Sequence, residues 1–408
     1  KVVVLINSSN ALQFDFLQDS AIDVDAALWI GSVGYTGIYA VADILVGDVT
    51  PSGSLPDTFY KDNMETPAMV NFGKTKFANW TEEMDKLGAD CYTVYEEGIY
   101  TGYKYTESRY FDLVMGQNNA GNYNYDSLVA FPFGHGESYT SFEYGDMEMK
   151  ERDDGFEISV KVTNTGDVKG KEVVQIYMSS PYTEYDKANQ IEKSAVELVG
   201  FGKTQILQPG ASETVTVRVE KEVMKAYDAF GAKTYIVDDG DYCFVAARNA
   251  HKAANNLLAY EGKKTTDGMD GEGDAELVSV YHQDKFDDTT YGENADGYAV
   301  TNQFDDADLR IYEDGAQAEG IQLLSRRDWK GTYPQAENHA AGTLRFTQKM
   351  EEDVSRGDAF TVDEDVDATM PAYGAKNGLT LAGMRGLDYD DPKWDLPLDP
   401  MTYQQQAE

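Results

Sequence analysis

The residues of this 408-residue chain that could do chemistry are above all carboxylates: 72 Asp and Glu stand against 34 Lys and Arg, a formal charge of −38. Such side chains act as acids, bases or nucleophiles in pairs, and hold calcium in clusters. Asp270-Gly271-Glu272-Gly273-Asp274 has alternating acidic spacing. It lacks the glycine after the third ligand and the distal Glu of a twelve-residue calcium loop, so it reads as a solvated linker. Asp363, Asp365 and Asp367 repeat the spacing and make no stronger case. The four histidines, His135, His251, His282 and His339, show no pairing at metal-ligand spacing, which leaves a zinc site or a His-based triad almost nothing to draw on. Cys91 and Cys243 fall in different predicted domains and read as buried thiols. No metal and no cofactor is expected.

Aromatic residues offer a second chemistry. Tyr92, Tyr95, Tyr100, Tyr103, Tyr105 and Tyr110 form a dense run. Their faces and hydroxyls suit sugar rings, although most tyrosines in such a run pack between layers. Gly31, Gly34 and Gly37 stand between an apolar run and a helical pattern, where a dinucleotide-binding turn would be. The spacing is G-x-x-G-x-x-G rather than G-x-G-x-x-G, and no acidic residue follows on a second strand at the required distance, so a tight turn between layers is expected.

The elements that must position these residues are legible in part. Val2-Val3-Val4-Leu5-Ile6 reads as a fully buried strand, with no lead-in after Lys1, and the chain is therefore expected to be a piece of a longer protein. Ala26 to Ile30 is a second apolar run. Ile38, Val41, Ala42 and Leu45 fall on one helical face, which predicts a helix over 38–46 stopped by Gly47. From about residue 150 the rhythm changes to period two. Phe156, Ile158, Val160 and Val162 alternate with polar residues, and further runs follow at 173–178, 215–219, 235–237 and 242–246. That pattern predicts an immunoglobulin-like antiparallel β-sandwich without catalytic chemistry. Residues 262–320 hold 16 acidic against 4 basic residues and few aliphatics, the composition of a loop-rich connector.

The charge excludes whole classes of partner. So acidic a chain repels polyanions, which argues against nucleic acid and anionic membranes. No run approaches the 18 apolar residues of a spanning helix.

Several motifs converge on one family. Val2 to Asn10 (VVVLINSSN), Trp29 to Gly37, Ala42-Asp43-Ile44-Leu45 and Gly47-Asp48-Val49-Thr50-Pro51-Ser52-Gly53-Ser54-Leu55-Pro56 resemble the second half of the α/β sandwich domain of glycoside hydrolase family 3. Tyr95-Glu96-Glu97-Gly98-Ile99-Tyr100-Thr101-Gly102-Tyr103-Lys104-Tyr105 is similar to its Y-x-E-G-I-x-x-G-Y-R-Y stretch. Phe131 to Thr140 resembles its F-P-F-G-Y-G-L-S-Y-T block, with His135 and Glu137 as departures. Residues 156–257, with Val162-Thr163-Asn164-Thr165-Gly166 and Glu197-Leu198-Val199-Gly200-Phe201, resemble the fibronectin type III-like domain that follows. The resemblance implies α/β plus all-β architecture. Residues 1–150 are the second half of the sandwich domain, 151–260 the fibronectin type III-like β-sandwich, 261–383 the acidic connector, and 384–408 the lead-in to a (β/α)8 barrel, as in members with reversed domain order.

The same resemblance implies a retaining β-glucosidase acting on terminal β-D-glucosyl residues of oligosaccharides or glycosides. Such chemistry needs two carboxylates about 5 Å apart. In the family the nucleophile is an aspartate late in the barrel, in an S-D-W setting, and the acid/base lies near a G-E-G-x-D-R motif ahead of the strand that opens this chain. Asp328 precedes any barrel strand and reads as a loop aspartate, and Gly271 to Asp274 is only a partial echo of the second motif. No catalytic or binding residue is therefore assigned within the 408 residues, the fragment is expected to be inactive, and the barrel of the parent chain is the expected partner. Homo-oligomerisation and localisation stay open. Asn79-Trp80-Thr81 and Asn7-Ser8-Ser9 match the glycosylation acceptor pattern, which also arises by chance. The competing readings are a non-catalytic carbohydrate-binding or cell-surface interaction protein, and a family 3 β-xylosidase or N-acetylhexosaminidase.

Overall fold

The computed structural model describes residues 1–17, 21–70, 72–302, 322–335, 344–355, 378, 381–388 and 391–395. The chain divides into two units, Lys1–Glu351 and Glu352–Glu408. In the second, the described residues include two short 3-10 turns, Leu381–Met384 and Pro392–Asp395.

The first unit opens with strand β1 (Val3–Ile6) paired in parallel to β2 (Ala26–Trp29), Val3 opposite Ala26 and Ile6 opposite Trp29. Here the expectation of a fully buried strand fails. Ile6 is buried, packed with Phe14 and Phe59, but Val2, Val3 and Leu5 are 51%, 44% and 41% exposed. The cause is that β1 and β2 form a sheet of two strands covered on one side, whereas parallel strands bury both faces only when helices lie on each. Helix α1 (Ile38–Val46) forms as the periodicity predicts and buries Val41. Gly47 ends it in the left-handed conformation (φ 85°), its amide reaching back to the carbonyls of Asp43 and Ile44.

Short elements carry the chain onward: β3 (Phe59–Tyr60), α2 (Pro67–Val70), β4 (Thr75–Lys76) and β5 (Cys91–Tyr92), with β4 antiparallel to β5. Helix α3 (Tyr103–Val114) follows, then α4 (Tyr125–Leu128) and β6 (Val129–Phe131), which returns to pair with β3.

The period-two segments form the predicted sandwich. One sheet is β7 (Phe142–Glu151), β8 (Gly155–Asn164) and β11 (Ser212–Glu220), in the order β11-β8-β7. The other is β9 (Val173–Ser179), β10 (Glu197–Lys203), β14 (Gly240–Ala247) and β15 (Val278–Gln283), in the order β10-β9-β14-β15. Phe156, Ile158, Val160 and Val162 face Val174, Ile176, Met178 and Phe244 in one dry core. At Gly200 and Gly202 the sheets come too close for side chains. A Cβ there would sit 2.7 and 2.6 Å from the Cγ1 atoms of Val217 and Val215. Helix α5 (Glu184–Ala188) and the hairpin β12 (Ala226–Asp228) with β13 (Thr234–Ile236) flank the sandwich. Strand β15 is built from the acidic stretch that composition presents as a connector. Val278 and Val280 alternate with polar residues there, a signal that the surrounding acidic residues mask.

Helix α6 (Ala250–Tyr260) leaves the sandwich and packs on α3. Asn249 caps it, accepting from the Lys252 amide at 2.8 Å. Ala253, Ala254, Leu257 and Leu258 meet Tyr105, Tyr110, Phe111 and Val114, so one core joins the α/β segment to the sandwich. Most of the tyrosine run ends inside: Tyr92, Tyr100, Tyr105 and Tyr110 are buried and Tyr103 half-buried, while Tyr95 is 74% exposed. Helices α7 (Trp329–Thr332) and α8 (Gln348–Ser355) complete the described elements.

Candidate functional site

Helix α3 carries one cluster of buried polar groups, Thr106, Glu107, Ser108 and Asp112. Glu107, fully buried on it, accepts at Oε2 from Nδ1 of His251 on α6 at 2.8 Å, and Nε2 of the same ring lies 2.8 Å from Asp270 Oδ2. Tyr125 stacks on the imidazole at 3.8 Å between ring centres and donates to Glu107 Oε1 at 2.7 Å. The Tyr110 hydroxyl accepts from the Asp270 amide at 3.0 Å and lies 2.9 Å from Asp270 Oδ1. Burial by itself would depress the His251 pKa. The Glu107 charge and the hydrogen bonds to Asp270 and Glu107 overcome it and push the ring up to about 10. Burial would raise Asp270, but the bond to His251 and its charge hold that carboxyl below the usual range. Two carboxylates thus face one another across an imidazolium, and each is committed to it as an acceptor. This is an ion-pair clasp between α3, α6 and the loop at 270. It does not offer the free acid and nucleophile that glycoside hydrolysis requires.

One turn further along α3, Asp112 receives the segment 324–333. The Arg326 guanidinium lies across it, with Nε 3.0 and 3.1 Å from the two carboxylate oxygens and Nη2 at 2.7 Å, and Trp329 Nε1 donates at 2.8 Å. Glu192 accepts from the Tyr100 hydroxyl (2.6 Å), the Ser325 hydroxyl (2.6 Å) and the Arg326 amide (2.9 Å). Trp329 is fully buried and meets Tyr100 edge-on at 4.6 Å. Asp328 lies on the surface of this docked segment and caps α7, accepting from the Gly331 amide at 3.0 Å.

Two clefts open nearby. One, of about 430 Å³, is lined by Pro56, Asp57, Tyr60, Tyr103, Lys104 and Phe133. Its walls raise the Asp57 carboxyl above the ordinary range, against a 2.8 Å bond from the Thr58 amide. The other, of about 450 Å³, is lined by Gln117, Asn119, Tyr182, Lys187 and Arg327 among others. Both have the mixed aromatic and polar walls that suit polyhydroxylated ligands.

The remaining sequence candidates disperse. His135 lies 3.6 Å from Glu137, His282 pairs with Asp241 on the surface at 2.6 Å, and both cysteines are free, with burial pushing Cys243 up to about 12. Gly273 packs against the Asn255 carbonyl and Asp274 caps the turn Ala275–Leu277, so the 270–274 loop is held against α6. Among the described residues no group of three or more His, Cys, Asp or Glu could hold a metal ion. Asn79, in one of the two glycosylation triplets, exchanges side-chain hydrogen bonds with both backbone groups of Phe346, at 2.9 and 2.7 Å. His339, Asp363, Asp365 and Asp367 lie outside the described residues, as does most of the segment 384–408. Sequence reasoning missed Glu107, Asp112 and Arg326. The available signal was a pair of acidic residues inside a helix with four aromatic side chains, since a buried carboxylate requires a partner.

Parts of the chain match known domains and proteins. Residues 1–103 match the glycosyl hydrolase family 3 C-terminal domain, and residues 172–250 match the fibronectin type III-like domain. Residues 1–103 thus carry a family 3 C-terminal domain, and a fibronectin type III-like domain follows it. A β-glucosidase of Ruminococcus albus is 33% identical over 257 residues, covering 62% of this chain and 23% of its own. β-Glucosidase A of Butyrivibrio fibrisolvens is 33% identical over 262 residues, covering 60% of this chain and 27% of its own. The chain thus spans about a quarter of the length of these curated relatives. Among solved structures, a β-glucosidase from Paenibacillus barengoltzii superposes with a TM-score of 0.52 at 28% identity, over 72% of this chain and 27% of that one. β-Glucosidase 3B from Thermotoga neapolitana, solved with α-D-glucose, gives 0.51 at 25% identity, over 70% and 32%.

Proposed function

We propose that the protein to which these 408 residues belong is a family 3 β-glucosidase that releases terminal β-D-glucosyl residues from oligosaccharides or glycosides with retention of configuration. The observation that carries this reading is the succession of the family 3 domain and the fibronectin type III-like domain in one chain, aligned at 33% identity with relatives named β-glucosidase. On this reading both catalytic carboxylates come from parts of the protein outside the 408 residues. What supports this is the commitment of the carboxylates gathered on α3 and around Arg326, and of Asp328. Glu107 and Asp270 neutralise His251, Asp112 and Glu192 hold the segment around Arg326, and Asp328 caps a helix. The described part is then a scaffold: α3 fixes the sandwich through Ser108 and Tyr103, whose hydroxyls accept from the amides of Ala195 (2.7 Å) and Leu198 (3.1 Å), and anchors the chain beyond it through Asp112.

The test is a panel of aryl β-glycosides on the full-length protein, with the product anomer followed by proton NMR. Preferential cleavage of the glucoside, releasing β-glucose first, is the expected outcome. Preference for the xyloside or the N-acetylglucosaminide moves the assignment to another family 3 activity, and no cleavage of any favours a non-catalytic carbohydrate-binding role.

A further inference from the structure

The sandwich contains a buried amine that neither the scaffold role nor the proposed hydrolysis uses. Lys193 precedes β10, and its side chain is 7% exposed. It points between two carboxylates that are more deeply buried still: Asp186 on α5, with no exposure, and Asp238 after β13, at 2%. Lys193 Nζ is in direct contact with Asp238 Oδ2, stands 3.0 Å from both oxygens of Asp186, and donates to the Pro181 carbonyl at 3.1 Å. Asp186 Oδ2 also accepts from the Thr183 amide (2.7 Å) and hydroxyl (3.0 Å), whereas Asp186 Oδ1 is buried with no hydrogen bond. On the far side of Asp238, Tyr242, fully buried, accepts from its amide at 3.0 Å.

This is more than an ion pair. Two buried carboxylates against one ammonium leave an excess negative charge in a low dielectric, which favours uptake of a proton or a rearrangement that needs fewer charges. Burial raises the Asp238 carboxyl above its ordinary range despite the lysine beside it. An amine in contact with one carboxyl and 3.0 Å from a second, with the Thr183 hydroxyl linking the two carboxyls (3.0 Å to Asp186 Oδ2 and 3.5 Å to Asp238 Oδ1), is an arrangement in which an amide can form. Proximity of this kind replaces a bimolecular encounter with an intramolecular one.

We propose that Lys193 and Asp238 condense in the folded protein to an intramolecular isopeptide bond, with Asp186 relaying the protons. Asp186 accepts a proton from the ammonium, freeing the amine, and passes it to the Asp238 carboxyl. The amine lone pair forms the Nζ–Cγ bond, and the Cγ–O bond to one Asp238 oxygen breaks. That oxygen departs as water with the two protons shed by nitrogen, so an ammonium and a carboxylate become a neutral secondary amide and one water. No oxidant or cofactor takes part. The product removes two opposite charges from the interior and leaves Asp186 with three donors: the new amide N–H and the two groups of Thr183. The bond closes a covalent loop between positions 45 apart, tying the excursion between β9 and β10 to the start of β14.

The experiment is intact-mass spectrometry of the folded, purified 408-residue chain under denaturing conditions, followed by peptide mapping. The expected result is a mass one water below that of the sequence, with peptides containing Lys193 and Asp238 recovered as one branched species. Lys193→Arg keeps the positive charge but cannot form the bond, and should show the full sequence mass. Asp186→Asn, checked for native circular dichroism, should also show the full mass. Wild-type protein at the full sequence mass overturns the proposal, as does a water loss that survives in Lys193→Arg. A natively folded Asp186→Asn that still carries the bond removes Asp186 from the relay.

Discussion

Arg326 and Asp112 lie 214 positions apart and form a buried, two-pronged ion pair, 6% and 0% exposed. It is the point at which the segment following the sandwich is fastened to the helix preceding it. Removing one partner of such a pair leaves an uncompensated charge inside, which costs about 3–5 kcal/mol. Arg326→Met is therefore expected to lower unfolding stability by that order, measured by urea denaturation of the first unit. Asp112→Asn is expected to cost a similar amount, because it leaves the buried Arg326 guanidinium without a counter-charge. A loss below about 1 kcal/mol for Arg326→Met would place the segment on the surface, where ion pairs contribute little.

The His251 clasp predicts a pH dependence. Its ring is raised from 6.5 to about 10 in the folded state, so its contribution is complete below about pH 6.5 and is lost as pH rises towards 10. Asp270 is shifted the other way, below 3.8, so its contribution is complete above that value and is lost as pH falls through it. The urea midpoint is thus expected to decline steadily from pH 6.5 to 10. In His251→Asn that slope is expected to flatten. An unchanged slope in the variant would assign the decline to other groups.

Gly200 and Gly202 show what the family motif around Gly200 and Phe201 does physically: it lets β10 approach β11 across the sandwich. Gly200→Val forces methyl groups into Val217 and is expected to cost about 1–3 kcal/mol, the usual range for overpacking. The same change at Gly145, where nothing lies within 4 Å, is expected to cost less. Equal melting shifts for the two variants would contradict the packing described.

Asp328 is expected to act as a helix cap alone. Asp328→Ala should lower stability by about 1 kcal/mol, the ordinary worth of a cap, and leave the glycosidase activity of the full-length protein unchanged. Loss of turnover without loss of stability would make it part of the catalytic machinery.

The sequence carried the fold where periodicity has one interpretation. Helix 38–46 with its glycine stop, and the alternation from Phe156 to Val162, read directly because one face of each element must meet a core. The opening strand misled because Val2 to Ile6 has the composition of a strand buried on both faces, and composition does not say whether the covering layers are present. β15 was hidden by the acidic residues around it. The polar clusters were out of reach for a different reason. Glu107, His251 and Asp270 come together only when α3 and α6 pack, and the partners of Asp112 and Lys193 lie far away in the chain. Individually these residues look like any of the other charged side chains.

The central claim is that these residues are the scaffold of a family 3 hydrolase whose catalytic carboxylates lie elsewhere in the protein. Hydrolysis of p-nitrophenyl β-D-glucoside by the 408-residue chain and by the full-length protein, assayed side by side, tests it most directly. The account predicts turnover by the full-length protein and none above the uncatalysed rate by the 408-residue chain. Turnover by the 408-residue chain, abolished by Asp328→Asn, would contradict it.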